Sequence, residues 1–218
     1  KLFFTLALVG SFALSQPVYS ATDAFTNAPG QAMYNGIING TITPGSDTCT
    51  VNVNSGAAGA TVNWQNLNVP QNNALNFYFS NAGQYALNKV QSGVSRIAGS
   101  IGYAAGSETG TVMIANPNGI ICEGNSVINV GSLLLTTHGI IDTDGKNFTL
   151  YKKEGTNNEF HGISILPGAT MNLDGNLTIA SLGIDMNGAN ITAKNSVLVT
   201  SDGLNYVIAD KTDLAKNE

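Results

Sequence analysis

The chain has 218 residues, of which 11% are charged and 43% hydrophobic, with 25 glycines and more than two dozen asparagines. A net charge of −5 without a basic stripe argues against nucleic-acid binding. Apolar residues suffice for a core, so disorder is excluded, and low charge with abundant Gly, Asn, Ser and Thr suits an all-β exported protein with amide-rich corners.

Lys1-Leu-Phe-Phe-Thr-Leu-Ala-Leu-Val-Gly-Ser-Phe-Ala-Leu-Ser15 is an apolar stretch behind a basic residue, too short to span a bilayer. Val18-Tyr-Ser20 closes it with small residues at −3 and −1, so residues 1–20 read as a signal peptide cleaved after Ser20. The chain does not begin with Met, so the leader's first residues are expected before Lys1, and 21–218 is expected to be the mature domain.

Residues 21–60 are polar, Gly-rich and weakly patterned, with a strand expected near Thr48–Asn54. Over 61–80, Val62, Trp64, Leu67, Val69, Leu75, Phe77 and Phe79 mark strands split by Pro70, and Ala86–Val90 is a short strand or turn. The strongest pattern is Thr111-Val-Met-Ile-Ala-Asn-Pro-Asn-Gly-Ile-Ile-Cys122: an apolar β-type run, a turn and a second apolar run. Pro117 presets φ for that turn, and Gly119 with its flanking Asn residues tolerates positive φ. Residues 138–163 form an excursion, with Phe148-Thr-Leu-Tyr151 and Glu159–Ile165 as expected hairpin arms around Glu154-Gly-Thr-Asn-Asn158 and Lys152-Lys153 as a solvated pair. Regular pattern returns over 163–209. The polar tail Lys211–Glu218 shows no closing cap, so the chain is expected to be the N-terminal part of something longer.

Three segments share one design: Gly124–Thr137, Gly168–Ser181 and Gly188–Ser201. Each opens with Gly, places an apolar residue three later (Val127, Met171, Ile191) and ends in an apolar–x–apolar pair (Leu133 and Leu135, Leu177 and Ile179, Val197 and Val199). The second and third are offset by 20 residues; the offset of 44 between the first two reads as two rungs of about 22 with extra loop. Period-2 alternation over about 20 residues excludes helical repeats, and the leucine framework of leucine-rich repeats is absent. The reading is an all-β solenoid of the β-helix type, a β-sandwich with coincidental spacing being the alternative.

Cys49 and Cys122 are the only cysteines, and in an exported chain a sparse pair suggests one disulfide, with two free buried thiols as the alternative. His138 and His161 lack metal-ligand spacing, and Asp142-Thr-Asp-Gly145 fails as a calcium loop because Lys153 stands where the closing Glu belongs. No cofactor is expected. The sequons at Asn39, Asn147, Asn176 and Asn190 are expected by chance in so Asn-rich a chain.

Val62-Asn-Trp-Gln-Asn-Leu-Asn-Val69, Leu75-Asn-Phe77, Ala86-Leu-Asn-Lys-Val90, Ile97-Ala-Gly-Ser-Ile101 and Ile114-Ala-Asn-Pro-Asn-Gly-Ile120 occur in an order that resembles the filamentous haemagglutinin-type secretion domain. This is the haemagglutination activity domain of exoproteins exported by two-partner secretion, and the resemblance covers roughly residues 30–205. It implies a right-handed parallel β-helix with an N-terminal cap and extra-helical β-hairpins, with Trp64, Phe77 and Asn88 as family-motif core residues. It also implies passage through the periplasm to the cell surface or medium. The partners would be the general secretion machinery, through the leader, and the periplasmic modules of a dedicated outer-membrane β-barrel transporter. The family's second Asn-Pro-Asn-Leu turn is absent, with Asn68-Val-Pro-Gln-Asn72 as a loose stand-in.

Asn116, Pro117, Asn118, Gly119 and Ile120 read either as a transporter-recognition site or as a structural corner whose amides bond the backbone, and the corner is favoured. The expected function is a non-enzymatic, monomeric secretion domain of an adhesin, haemolysin or contact-dependent toxin. A β-helix polysaccharide lyase or hydrolase needs clustered acids and bases in one groove, whereas Arg96 is the sole arginine and the acids are scattered on turns. A surface carbohydrate-binding module needs a row of exposed aromatics, whereas these aromatics sit in apolar strand contexts.

Overall fold

Short β-type runs separated by Gly/Asn corners bury their apolar faces only by stacking on neighbours, and here they stack as a coil. The structure is a computed structural model that describes residues 20–142, 147–151, 162–200 and 206–208. The expected leader up to residue 19, Lys152-Lys153, Glu154–Asn158, His161 and most of Asp142-Thr-Asp-Gly145 lie outside the described residues. Within them there is no helix.

Three strands precede the coil: β1 (Thr22–Asp23), β2 (Ala32–Ile38) and β3 (Gly40–Thr43). The chain then winds through β4 (Thr48–Val53), β5 (Gly59–Leu67), β6 (Ala74–Tyr78), β7 (Tyr85–Val90), β8 (Ser95–Ile97) and β9 (Ser100–Tyr103). It continues through β10 (Thr111–Ala115), β11 (Ile120–Cys122), β12 (Val127–Val130) and β13 (Ser132–Thr136). After β14 (Gly139–Asp142) and β15 (Phe148–Tyr151) it resumes with β16 (Ile163–Ile165), β17 (Thr170–Leu173) and β18 (Asn176–Ser181). The last elements are β19 (Ile184–Asp185), β20 (Asn190–Thr192), β21 (Asn195–Thr200) and β22 (Tyr206–Ile208).

Each turn passes through an eight-stranded sheet (β1-β2-β5-β7-β10-β13-β18-β21), a four-stranded sheet (β8-β11-β16-β19) and a seven-stranded sheet (β3-β4-β6-β9-β12-β17-β20). From β4 onward the neighbours within these three sheets are parallel, which makes the fold the expected β-helix. Inward columns fill the coil: Cys49, Leu75, Ile101, Ile128 and Met171 from the seven-stranded sheet, and Ile97, Cys122 and Ile165 from the four-stranded one.

The N-terminal end is closed by antiparallel pairing of β2 on β5 and β3 on β4. Ala24, Phe25 and Ala32 are buried there, and Tyr34, Ile37 and Ile42 pack against the core. Outside the coil, β14, β15 and β22 form an antiparallel sheet. Ile140, Phe148 and Leu150 from it pack on Tyr85, Leu87, Met113, Leu134 and Ala180 of the eight-stranded sheet. That sheet is therefore covered on both faces, which is why Val112-Met-Ile114 and Leu133-Leu-Leu135 are unbroken apolar runs rather than alternating ones.

Several expectations are corrected. The offset of 44 residues is one turn carrying an insertion, because β13 pairs directly with β18 and β12 with β17. The inward column runs Ile128, Met171, Ile191, while Val127 points outward and is 36% exposed. Leu177 and Ile179 stand opposite Ser196 and Leu198, a one-residue slip that exchanges the two faces of the last strand. The hairpin arms are β14 and β15; Ile163–Ile165 belongs to the coil, between β11 and β19. Asn68–Asn72 turns the corner after Val69, one corner beyond the position the Asn-Pro-Asn-Gly turn occupies two turns later.

The disulfide is corrected as well. Cys49 and Cys122 are both free and buried. Cys49 is three register steps from Ile128, and Cys122 sits in the same turn as Ile128. At ~4.8 Å per step the two lie roughly 14 Å apart along the coil axis, about twice the Cα separation a disulfide spans.

Candidate functional site

The corner from Asn116 to Ile120 joins β10 of the eight-stranded sheet to β11 of the four-stranded one, and all five residues are buried. The Gly119 amide donates to the Asn116 carbonyl at 3.0 Å, closing a tight turn. Gly119 has φ +110°, which a side chain with a Cβ rarely adopts. The Asn116 amide nitrogen donates to the Gly93 carbonyl at 2.9 Å and to Ser95 Oγ at 2.8 Å in the turn before. Its Oδ1 accepts from the Asn118 backbone N–H at 2.9 Å and from Asn118 Nδ2 at 3.2 Å. Its own backbone N–H donates to the Thr136 carbonyl in the turn after, at 2.9 Å. The Asn116 side chain thus ties its own corner to the turn before, a role that a short amide with two donors and an acceptor can fill, while its backbone N–H makes the link to the turn after.

Trp64 and Asn88 are brought together inside the coil. Val62, Asn88 and Ile114 occupy one register column, so Asn88 faces inward among apolar neighbours and is fully buried. Its Oδ1 accepts from Trp64 Nε1 at 2.9 Å, and its Nδ2 donates to the carbonyls of Met113 at 3.0 Å and Ala86 at 3.3 Å. The Trp64 ring meets the edge of Tyr34 from the cap, with centroids 6.1 Å apart. Phe77 stands apart from this pair, stacked with Phe79 at 6.3 Å in the interior column of the seven-stranded sheet.

Three further groups were not visible as features of the sequence. Tyr103 Oη accepts from the backbone N–H groups of Gly110 and Gly131 and donates to the Gly110 carbonyl, which holds one corner to the next. Burial pushes its pKa up. Tyr85 Oη donates to Asp142, fastening the outer hairpin to the coil. His138 is buried where the chain leaves the coil, beside a small pocket lined also by Lys89, Pro117, Ile140 and Tyr151. Its Nε2 is buried with no hydrogen-bond partner among the described residues, and burial holds its pKa below the usual histidine value. Tyr103 and Gly131 are 28 positions apart and Tyr85 and Asp142 are 57 apart, so only the completed coil reveals these contacts.

Arg96 pairs with Glu123 at 2.8 Å across adjacent turns, with the arginine side chain 58% exposed. The geometry at the corner is one of buried hydrogen bonds and packing: it fixes the path of the chain.

The model of the TPS secretion domain family matches residues 27–217. A heme/hemopexin-binding protein of Haemophilus influenzae is 29% identical over 116 residues, covering 52% of this chain and 12% of that protein. The heme/hemopexin-binding protein of the Rd strain of Haemophilus influenzae is 31% identical over 101 residues, covering 43% of this chain and 11% of that protein. The crystal structure of the HMW1 secretion domain from Haemophilus influenzae superposes with a TM-score of 0.60 at 18% identity, covering 81% of this chain and 49% of the other. That likeness carries the fold, and the family match carries the rest: this chain belongs to the TPS secretion domain family, the secretion domains of two-partner-secreted exoproteins.

Proposed function

We propose that this domain directs a larger exoprotein, an adhesin, haemolysin or contact-dependent toxin, to a cognate outer-membrane β-barrel transporter that engages it through periplasmic modules. The leader at residues 1–20 hands the chain to the general secretion machinery. The mature domain acts as a non-catalytic monomer, and its coil nucleates β-helix folding after export. The observation that carries this reading is the family match, which spans residues 27–217.

The Asn116–Ile120 corner serves export through folding rather than as a docking motif. The support is the burial of all five residues and the Asn116 bonds to the turns on either side.

The test is co-expression. With its cognate transporter the chain is expected in the medium, and without it in the periplasm. Equal release from both strains defeats the proposal.

A further inference from the structure

Both cysteines face the interior of a coil in which they cannot meet. Cys49 heads the inward column Cys49–Leu75–Ile101–Ile128, and Cys122 stands between Ile97 and Ile165 in another wall. In the unfolded chain nothing holds them apart, because loop closure costs little extra as a loop lengthens. In the coil three turns of backbone pairing lie between them, and bringing them together requires unwinding those turns.

We infer that Cys49 and Cys122 form a redox-sensitive lock on winding: a disulfide between them and the β-helix are mutually exclusive states of this chain. The inference concerns the chain's own folding and stands apart from the export reading. Oxidation joins the two sulfur atoms and releases two protons and two electrons. An external oxidant, a protein disulfide or an azo compound, takes them up and becomes a dithiol or a hydrazide. A chain oxidised before it winds is held out of the fold until a reductant opens the bond.

Winding acts in the opposite direction. The coil encloses both thiols in apolar surroundings, and burial pushes each pKa up to about 12. Against an ordinary thiol the thiolate fraction at neutral pH drops roughly a thousandfold. Whichever event comes first therefore determines the state of the chain.

The experiment uses the full chain, diluted and unfolded in denaturant, then treated with the azo oxidant diamide. Mass spectrometry identifies the linked Cys49 and Cys122 peptides, and the denaturant is removed. The expected result is loss of the β-type circular dichroism and of the cooperative melting transition, both restored by dithiothreitol. Restoration by reductant serves as the folding control on the unmodified sequence. Cys49→Ala and Cys122→Ala, which cannot form the bond, are expected to fold after the same treatment. A cross-linked chain with the spectrum and transition of the reduced chain overturns the inference. So does formation of the Cys49–Cys122 bond when diamide is added to the folded protein without denaturant.

Discussion

The Trp64 indole N–H donates to Asn88 Oδ1 at 2.9 Å inside the coil, where both residues are fully buried. The bond joins β5 to β7, the first two parallel neighbours of the eight-stranded sheet, directly above the cap. Asn88 spends both donors on backbone carbonyls, so this internal polar pair is satisfied at every position. Asn88→Ala would leave the indole N–H without its partner, take a donor from the Met113 and Ala86 carbonyls and open a small cavity. A loss of about 2–4 kcal/mol is expected. Trp64→Phe orphans the Asn88 oxygen and opens a cavity of its own, and should also destabilise. Urea denaturation followed by far-UV circular dichroism measures both, and an Asn88→Ala variant as stable as the parent would contradict this account.

The outer hairpin makes a separate prediction. Phe148 meets Tyr85 edge-to-face at 5.0 Å and covers the outward apolar residues of the eight-stranded sheet. Phe148→Ala should cost about 3–5 kcal/mol if the hairpin stays docked. If it lifts instead, Leu87, Met113 and Leu134 become exposed while the inward columns remain intact. The outcome expected is increased binding of a hydrophobic dye with the coil's β spectrum preserved. Loss of the whole spectrum would mean that the coil depends on its outer cover.

How far the fold was legible depends on which interaction each residue makes. Gly168 and Gly188 announced their corners because both adopt positive φ and stack directly, Gly168 N–H on the Gly188 carbonyl at 3.1 Å. The Asn-Pro-Asn-Gly turn was legible for the same local reason. Ile163-Ser-Ile165 reads as a hairpin arm because apolar–polar–apolar is alike in a hairpin arm and in a coil strand. Only pairing with β11 and β19 distinguishes them. β2 and β3 were missed because cap strands are half-buried and carry weak alternation. Most of all, Asn116 and Asn88 could be named but not explained. Their partners lie on neighbouring turns, at spacings of 21 to 25 residues, and no local pattern encodes them.

A pH dependence follows from His138. Its imidazole is buried with Nε2 unpartnered among the described residues, and Lys89 and Tyr151 line the same pocket. Burial lowers its folded pKa, so below the unfolded value near 6.5 the unfolded chain takes up a proton that the folded chain refuses. The stability is therefore complete above about pH 6.5 and falls as pH drops towards the depressed folded pKa. Melting temperatures measured between pH 7.5 and 5 should fall more for the parent than for His138→Gln. Parallel curves would show that His138 titrates alike in both states.

The corner allows stability and export to be separated. Asn116→Ala removes the bonds to the Gly93 carbonyl, Ser95 Oγ and the Asn118 N–H, the first part-buried and the other two buried. Leaving such groups unpaired costs about 1–3 kcal/mol for each that no water reaches. Gly119→Val acts by a different route, forcing a β-branched residue into φ +110°, at a cost of about 1–3 kcal/mol in backbone strain. Pro117→Ala keeps the turn geometry accessible and should cost under about 1 kcal/mol through greater freedom of the unfolded chain. If the corner acts by shaping the coil, the three variants fall on one line: the lower the melting temperature, the less chain reaches the medium in cells carrying the transporter. Pro117→Ala would lie near the parent, and the other two well below it. A variant that melts with the parent but stays in the periplasm would leave that line. It would make these residues a direct contact for the transporter, read from the chain before the coil has buried them.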